Sequence, residues 1–243
     1  MNTLLDQLVV YNSVKPKTRL GSIGDGGYVV VDGYDYDFYI GCGIGSNPQF
    51  DMQFIRKYPN IKGLVFDGEI EYCMYFSHWV HFVARNIAGE NTDHTTNLNE
   101  ETDPFNNIFI KMDIEGHEWK WLKSFKNLDK VKQIVVEVHG LFHNPHTYDW
   151  TKHSNYDYQD VIDGLKKINE THYLVHFHSN NSAEYANLDG KELPTVGELT
   201  YIRKRDCLID GLNKTALPIG GLDFANGTDR HDLKFSEYPF CSK

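Results

Sequence analysis

The sequence of 243 residues predicts a single α/β domain built on a seven-stranded, mostly parallel sheet. Five apolar or aromatic runs alternate with loops and helical segments, which is typical of parallel strands joined by right-handed crossovers. These runs cover 38–41, 63–67, 81–84, 108–113 and 133–139. The predicted helices among them include 49–58, 115–125 and 156–169.

Elements at both ends of this alternating region complete the predicted fold. The apolar residues of 4–9 fall on one helical face and predict an amphipathic N-terminal helix. The segment 19–32 places glycines between two short runs and predicts a β-hairpin. The last two runs, 173–178 and 198–203, have no predicted helix between them, so we expect an antiparallel hairpin at one edge of the sheet.

No repeat, linker or abrupt change in composition divides the chain. We therefore predict one domain over 1–243, with an N-terminal helix and hairpin (1–35), a Rossmann-like core (36–204) and a C-terminal extension of unassigned role (205–243).

Composition narrows the classes of function. The formal charge of −10 comes without a basic stripe, so we do not expect a nucleic-acid partner. No apolar run approaches the length of a membrane span, and the first residues do not resemble a signal peptide. The scattered cysteines (Cys42, Cys73, Cys207 and Cys241) show no CxxC spacing, which favours a reducing cytoplasm. A homo-oligomer is left open.

A glycine-rich loop over 41–47 follows the first run of the alternating region. Such a loop lets the backbone approach a ligand closely, and the helix after it favours an anionic group. That group is a pyrophosphate in a nicotinamide enzyme and the methionine carboxylate in a methyltransferase. The third glycine of the dinucleotide fingerprint is replaced by Ser46, which disfavours the first alternative.

Asp67 ends the next run, where a carboxylate can accept both hydroxyls of a ribose. The alternative is an ordinary strand–helix turn beside a solvated aspartate. The predicted cofactor-binding residues are Gly41, Gly43, Gly45, Asn47 and Asp67.

Carboxylates and a histidine lie at the ends of the fourth and fifth runs. Asp113 ends one run, with Glu115 just after it, and Glu137 and His139 end the following one on a shared face. The carboxyl ends of parallel strands line the ligand crevice, so we expect these side chains to converge. Asp113, Glu137 and His139 suit a divalent ion such as Mg²⁺, Mn²⁺ or Fe²⁺, or His139 suits a general base. Glu115 is a further active-site candidate, with bracing of the following helix as its alternative.

The remaining histidines are assigned less specifically. His176 and His178 repeat the alternate spacing in the sixth run and could join the same crevice. For four others we favour an ordinary structural or solvated role: His117, His143, His146 and His153.

Several segments together resemble the FkbM-type methyltransferases, specifically the branch with a DGGYV motif before the cofactor loop. The segments are 24–29, 41–47, 111–118 and 137–140, and the likeness covers about residues 19–203. The D-x-E-G-x-E segment at 113–118 is the most specific of them.

This resemblance implies the Rossmann-like class I methyltransferase fold, S-adenosylmethionine as cofactor and methyl transfer to oxygen. It carries a cofactor role onto Gly41, Gly43, Gly45 and Asp67, and an active-site role onto Asp113 and Glu115.

The resulting functional prediction is an O-methyltransferase for a hydroxyl of a sugar or sugar-like metabolite, either a nucleotide sugar or a glycan. Aromatic and histidine-rich loops such as 143–150 offer the amphipathic surfaces that sugars need. An anionic nucleotide sugar also requires local cations, for which Arg85, Arg203 and Lys204 are candidates. The competing predictions are an NAD-dependent oxidoreductase and a non-catalytic module that binds adenosylmethionine.

Overall fold

The computed structural model describes residues 2–70, 76–142, 149–188 and 190–242. The strands in the described part of the chain are β1 (Tyr11–Ser13), β2 (Lys17–Gly21), β3 (Gly27–Val31), β4 (Phe38–Cys42), β5 (Lys62–Phe66), β6 (Val80–Val83), β7 (Asn86–Ile87), β8 (Thr95–Thr96), β9 (Ile108–Met112), β10 (Val131–His139), β11 (His172–Ser179), β12 (Tyr185–Leu188), β13 (Lys191–Pro194), β14 (Val196–Arg203) and β15 (Ile209–Leu212).

The helices are α1 (Asn2–Leu5), α2 (Gln49–Lys57), α3 (Asn99–Thr102), α4 (Glu118–Ser124), α5 (Trp150–His153) and α6 (Tyr158–Thr171), with 3₁₀ turns at Asp6–Leu8 and Leu128–Lys130. No helix among the described residues is long and apolar enough to cross a lipid bilayer.

Seven strands form the central sheet in the order β11-β14-β10-β9-β4-β5-β6. The five strands from β10 to β6 run parallel, and β14 is antiparallel to both of its neighbours. The predicted α/β class, the seven strands and the antiparallel hairpin at the edge are therefore confirmed. The chain moves outward from β4 to β6 and then returns to β9 on the other side of β4, which makes the β4–β9 boundary the switch point where open α/β sheets bind ligands.

Helices cover both faces of the sheet. The two central strands, β4 and β9, are buried along their whole length, as expected for parallel strands with helices on both sides. On one face, α2 packs Phe50 and Phe54 against Tyr39 and Phe109. On the other face, α4 and α6 belong to the largest apolar cluster together with the opposite sides of these strands.

The elements before β4 match their predictions, whereas one later helix does not. The N-terminal helix is short and continues as a 3₁₀ turn, and the β2–β3 hairpin pairs Lys17 with Val31 through Gly21 with Gly27. The helix predicted from Glu115 begins instead at Glu118. Its first predicted turn is replaced by a left-handed one, because φ is +54° at Glu115 and +92° at Gly116.

The C-terminal extension, for which no structure was predicted, packs against the sheet. Its strand β15 pairs with β1 near the N-terminus. Four of its apolar side chains belong to the largest apolar cluster: Leu217, Leu233, Phe235 and Phe240. Among the cysteines, Cys42, Cys207 and Cys241 are buried and free, and Cys73 lies outside the described residues.

Candidate active site

A cavity of about 470 Å³ lies at the carboxyl ends of β4, β5 and β9, on the ligand side of the switch point. Its volume is in the range of small-molecule and cofactor sites. The walls come from the glycine loop, the residues after β5 and β9, the turn of the β2–β3 hairpin and the β7 region; they include Asp25, Gly26, Gly43, Gly45, Asn47, Asp67, Glu69, Arg85, Asn86, Lys111, Asp113, Glu115, His117 and His153.

Two glycines of the loop have different geometric roles. Gly43 has φ of +70°, and a Cβ there would lie 1.6 Å from the carbonyl oxygen of Asp113. The loop can therefore pass the end of β9 only if this residue has no side chain. Gly45 has φ of +54°, but a Cβ there would meet no atom within 4 Å, because this side of the loop is open.

Gly41, predicted to bind the cofactor, lies beneath the loop and is not one of the cavity-lining residues. A Cβ there would lie 2.2 Å from Oδ1 of Asp51, which is 1% exposed and accepts a 2.6 Å hydrogen bond from the Tyr39 hydroxyl. Burial raises the pKa of the Asp51 carboxyl. Gly41 therefore makes room for a buried polar pair that supports the loop from below.

The other two predicted cofactor residues line the cavity and hold the loop in shape. Asp67 accepts a hydrogen bond from the Gly45 amide at 2.9 Å through Oδ2 and one from the Glu69 amide at 2.8 Å through Oδ1. Asn47 donates to the Ser22 hydroxyl at 3.3 Å and so joins the glycine loop to the β2–β3 hairpin. The DGGYV motif is thus placed against the glycine loop, with Asp25 and Gly26 in the cavity wall.

The candidate metal or base residues converge beside this cavity. Asp113, Glu137 and His139 each offer one ligand atom, and these three atoms lie within 4.8 Å of one another. Asp113 and Glu115 line the cavity, whereas Glu137 and His139 lie behind them and are buried. Glu115 approaches with Oε2 at 3.5 Å from Nε2 of His139.

Three residues that the sequence did not single out as site residues contact this cluster. The Tyr28 hydroxyl donates to Oδ2 of Asp113 at 3.0 Å, and the Asn180 amide donates to Oε1 of Glu137 at 3.1 Å. Oε1 of Glu118 lies 3.2 Å from Nδ1 of His139. Tyr28 and Glu118 lie inside the motifs that carry the family resemblance, and that position is the signal that could have identified them.

Glu118 also shapes the turn before α4. Its side chain is 0% exposed, and Oε1 accepts hydrogen bonds from the Ile114 amide at 3.1 Å and the Gly116 amide at 3.2 Å. One carboxylate thus holds both the left-handed turn that carries Glu115 and the ring of His139.

The cluster contains more negative than positive charge. Burial by itself lowers the pKa of His139, but the carboxylates of Glu118, Glu137 and Asp113 together raise it to about 10. Burial, and then the charge of Asp113, raise the pKa of the Glu137 carboxyl well above its usual value. Lys111 donates to the carbonyl oxygens of Cys42 and Gly43 and lies 3.9 Å from Asp113. Without another cation the imidazole of His139 is therefore protonated at neutral pH.

The histidines of the sixth run serve a different region. His176 lies 2.7 Å from Oδ1 of Asp223, and His178 lies 3.1 Å from both Glu198 and Asp232. Two of these partners, Asp223 and Asp232, belong to the C-terminal extension. Both histidines therefore connect that extension to β11, and they are not among the residues that line the cavity.

The remaining predicted residues are placed as follows. His117 and His153, predicted as ordinary histidines, line the cavity, and burial lowers the pKa of His117. Arg203 donates to the carbonyl oxygens of Asn106 and Asp129, which precede β9 and β10, so it lies at the edge of the sheet opposite the cavity. His143, His146 and most of the aromatic loop 143–150 lie outside the described residues.

Comparisons with known proteins identify no family: no protein-family model matches the chain, and no curated protein matches it. The structure is similar to precorrin-6y C5,15-methyltransferase from Geobacter metallireducens, with 12% identity, a TM-score of 0.37 and coverage of 84% of this chain and 87% of the other. It is also similar to a variant of the 16S rRNA (adenine(1408)-N(1))-methyltransferase from Catenulisporales acidiphilia, with 7% identity, a TM-score of 0.35 and coverage of 81% and 99%. Both TM-scores are low, so the fold is assigned from the strand order and the site from its own geometry.

Proposed function

We propose that this chain is an S-adenosylmethionine-dependent methyltransferase that transfers a methyl group to a hydroxyl oxygen. The observation that carries the proposal is the charge of the cavity at the switch point. Five of its lining residues are acidic (Asp25, Asp67, Glu69, Asp113 and Glu115) and two are basic (Arg85 and Lys111).

Both basic groups already contact other groups of the protein, although Nε of Arg85 has no hydrogen-bond partner. Lys111 donates to two carbonyl oxygens of the glycine loop. Arg85 donates to the carbonyl oxygens of Thr92 and Thr95 and lies 3.9 Å from Glu101. The cavity therefore presents an excess of negative charge to a ligand.

The negative charge of the cavity discriminates between dinucleotides and adenosylmethionine, the two cofactor classes that bind at a glycine loop. A dinucleotide brings a doubly negative pyrophosphate to the loop, where the Asp67 carboxylate already accepts a hydrogen bond from the Gly45 amide. Adenosylmethionine carries a sulfonium, an ammonium and one carboxylate, so its net charge is positive. A cavity lined by one sign of charge attracts the opposite sign, which favours adenosylmethionine over NAD.

The acidic and histidine cluster supports the transfer step. The acceptor oxygen attacks the methyl carbon in line with the sulfonium, the carbon–sulfur bond breaks, and adenosylhomocysteine leaves. An alcohol is a weak nucleophile until its proton is removed, so the protein must align the two reactants and assist that removal. Asp113 and Glu115 line the cavity, and His139 lies directly behind them. Asp113 and Glu115 are therefore candidates for accepting the proton, and His139, which is itself protonated unless a cation is bound, is a candidate for holding the Glu115 carboxylate in position.

For the acceptor we propose an uncharged sugar-like molecule and not a nucleotide-activated sugar. Three cations were candidates for binding an anionic acceptor. Arg203 lies at the edge of the sheet opposite the cavity, and Lys204 directly follows it in the chain. Arg85 lines the cavity but donates to the carbonyl oxygen of Thr92. Residues 71–75 and 143–148, which lie outside the described part of the chain, contain no Lys or Arg. An anionic acceptor would therefore meet mainly carboxylates.

Replacing Asp67 tests the cofactor assignment. We expect Asp67→Asn to weaken adenosylhomocysteine binding by about 1–3 kcal/mol, because a charge-assisted hydrogen bond to the ribose is lost. Titration calorimetry measures the change. Asp210→Asn is the matched control, since it makes the same change at an exposed aspartate outside the cavity and should leave the affinity unchanged. Unchanged affinity in folded Asp67→Asn would remove Asp67 from the site, and binding of NADH in preference to adenosylhomocysteine would overturn the methyltransferase assignment.

A panel of acceptors tests the substrate class. We expect the enzyme with adenosylmethionine to add one CH₂ unit of mass to neutral glycosides and to convert nucleotide sugars poorly or not at all. Mass spectrometry follows the products of glycosides, nucleotide sugars, phenols and peptides. Turnover of phenols or peptides alone would reject the sugar, and cofactor binding without turnover of any class would favour a non-catalytic module.

A further inference from the structure

We infer that Asp113, Glu137 and His139 form a binding site for one hard divalent cation of the Mg²⁺, Mn²⁺ or Fe²⁺ class. Its role in catalysis rests on the proposed function, but its existence does not. The inference depends on the oxygens of Asp113 and Glu137 that have no hydrogen-bond partner in the protein.

Each of the three side chains is oriented by a second group. Tyr28 holds Oδ2 of Asp113, Asn180 holds Oε1 of Glu137, and Glu118 lies against Nδ1 of His139. A carboxylate on the second nitrogen of a histidine is a recurrent feature of metal sites, because it fixes the ring orientation and makes the ligating nitrogen more basic.

The two carboxylates each keep one oxygen unpartnered. Oδ1 of Asp113 and Oε2 of Glu137 are buried atoms without a hydrogen-bond partner, and the Glu137 side chain as a whole is only 5% exposed. Leaving a buried carboxylate oxygen unsatisfied costs free energy, so such atoms normally have a partner. A cation accounts for both orphaned oxygens at once.

The charge balance of the cluster also supports a bound cation. Asp113, Glu137 and Glu118 surround His139, the exposed Glu115 lies 3.5 Å from its Nε2, and Lys111 lies 3.9 Å from Asp113. Buried negative charge without matching positive charge is costly. A divalent ion among these side chains would restore the balance.

The neighbouring residue Glu198 shows that an acidic, buried position alone does not produce this pattern. Glu198 lies directly opposite Glu137 in the β10–β14 register and is also buried. Both of its oxygens have partners, however: His178 on Oε2 and Asn226 on Oε1. Glu198 therefore keeps no oxygen unpartnered, whereas Asp113, Glu137 and Glu118 of the cluster each keep one.

The donor set limits the kind of ion. Two carboxylates and one imidazole, without cysteine, suit Mg²⁺, Mn²⁺ or Fe²⁺ better than a structural zinc. Because Asp113 lines the cavity, an ion held there would be open to a ligand on the cavity side. Bound in this position it would lower the pKa of an acceptor hydroxyl and so assist the transfer.

Direct binding of Mn²⁺ tests the site without cofactor or acceptor. The protein is treated with chelator, dialysed and titrated with Mn²⁺ under calorimetry and electron paramagnetic resonance. We expect one site in the native protein, an affinity loss of about 100-fold or more in Glu137→Gln, and a loss of roughly 10- to 100-fold in Glu118→Gln. Glu118 orients the His139 ring and also holds the turn that follows Asp113. Glu198→Gln is the matched control and should bind Mn²⁺ like the native protein.

The outcomes separate this inference from the proposed function. A melting temperature raised by Mn²⁺ in native protein and Glu198→Gln, but not in Glu137→Gln, would support the site even if no acceptor were found. If native protein binds adenosylhomocysteine but has no Mn²⁺ site, the proposed metal site is overturned and the methyltransferase assignment stands. Equal Mn²⁺ affinity in folded Glu137→Gln and native protein would also overturn it.

Discussion

Gly43→Ala is expected to abolish adenosylhomocysteine binding and to lower the free energy of unfolding by about 2–5 kcal/mol, the sum of left-handed strain and overpacking. Both costs come from the geometry of the loop. Gly43 has φ of +70°, which a side chain disfavours, and the added Cβ would lie 1.6 Å from the Asp113 carbonyl oxygen. The Asp113 carbonyl is part of the backbone, so it cannot rotate away from the added Cβ as a flexible side chain could. The loop or the end of β9, with Asp113, must therefore shift.

A second glycine isolates the steric part of this effect. Gly211 has a similar φ of +74°, but a Cβ there would meet no atom within 4 Å. Gly211→Ala should therefore show only the left-handed strain of about 1–2 kcal/mol and bind adenosylhomocysteine normally. Urea unfolding and calorimetry on both variants give the comparison. Equal losses of stability in the two variants would mean that the loop does not pass the end of β9 as closely as described.

Phe240→Ala is expected to destabilise the whole chain by about 3–5 kcal/mol, the usual cost of removing a buried phenylalanine. The centroid of the Phe240 ring lies 4.6 Å from the ring centroid of Phe177 on β11 and 4.4 Å from that of Phe235. This residue belongs to the C-terminal extension, so the result tests whether the extension is part of the cooperative core. Urea unfolding should show one transition, shifted to lower denaturant.

Leu208→Ala is the control for this variant. Leu208 lies in the same extension but is 67% exposed, so its loss should change stability by no more than about 0.5 kcal/mol. A separate early transition in Phe240→Ala, with the main transition unchanged, would show that the extension unfolds independently of the sheet.

The extension also connects to the candidate site through polar contacts. Asp223 and Asp232 bond to His176 and His178, and Asn226 donates to Glu198, which lies opposite Glu137. Loosening the extension is therefore expected to disturb the region behind the proposed metal ligands as well as the core.

The central sheet and the position of the crevice could be predicted from the sequence alone. Buried parallel strands such as β4 and β9 are continuous apolar runs, and this pattern is visible without the structure. The same topology explains why Asp113, Glu137 and His139 could be expected together: parallel strands end at one edge, so residues that follow them are neighbours. The roles of these residues stay predictions.

Other features depended on contacts between distant segments, which local patterns do not encode. Glu115 adopts a left-handed turn because buried Glu118 binds the amides around it, so the helix begins three residues later than its composition suggested. His176 and His178 share the strand-end position of the site residues but bind the extension instead.

The partners of the candidate ligands were likewise decided only by tertiary structure. Tyr28 comes from the hairpin, Glu118 from α4 and Asn180 from the end of β11, and each meets its partner across a long sequence separation. Local periodicity reports which face of a strand or helix is buried, but the pairing of a buried donor with a particular carboxylate depends on how the layers pack. For this reason the sequence predicted a candidate site, whereas the packed fold shows which oxygens of Asp113 and Glu137 have no partner within the protein.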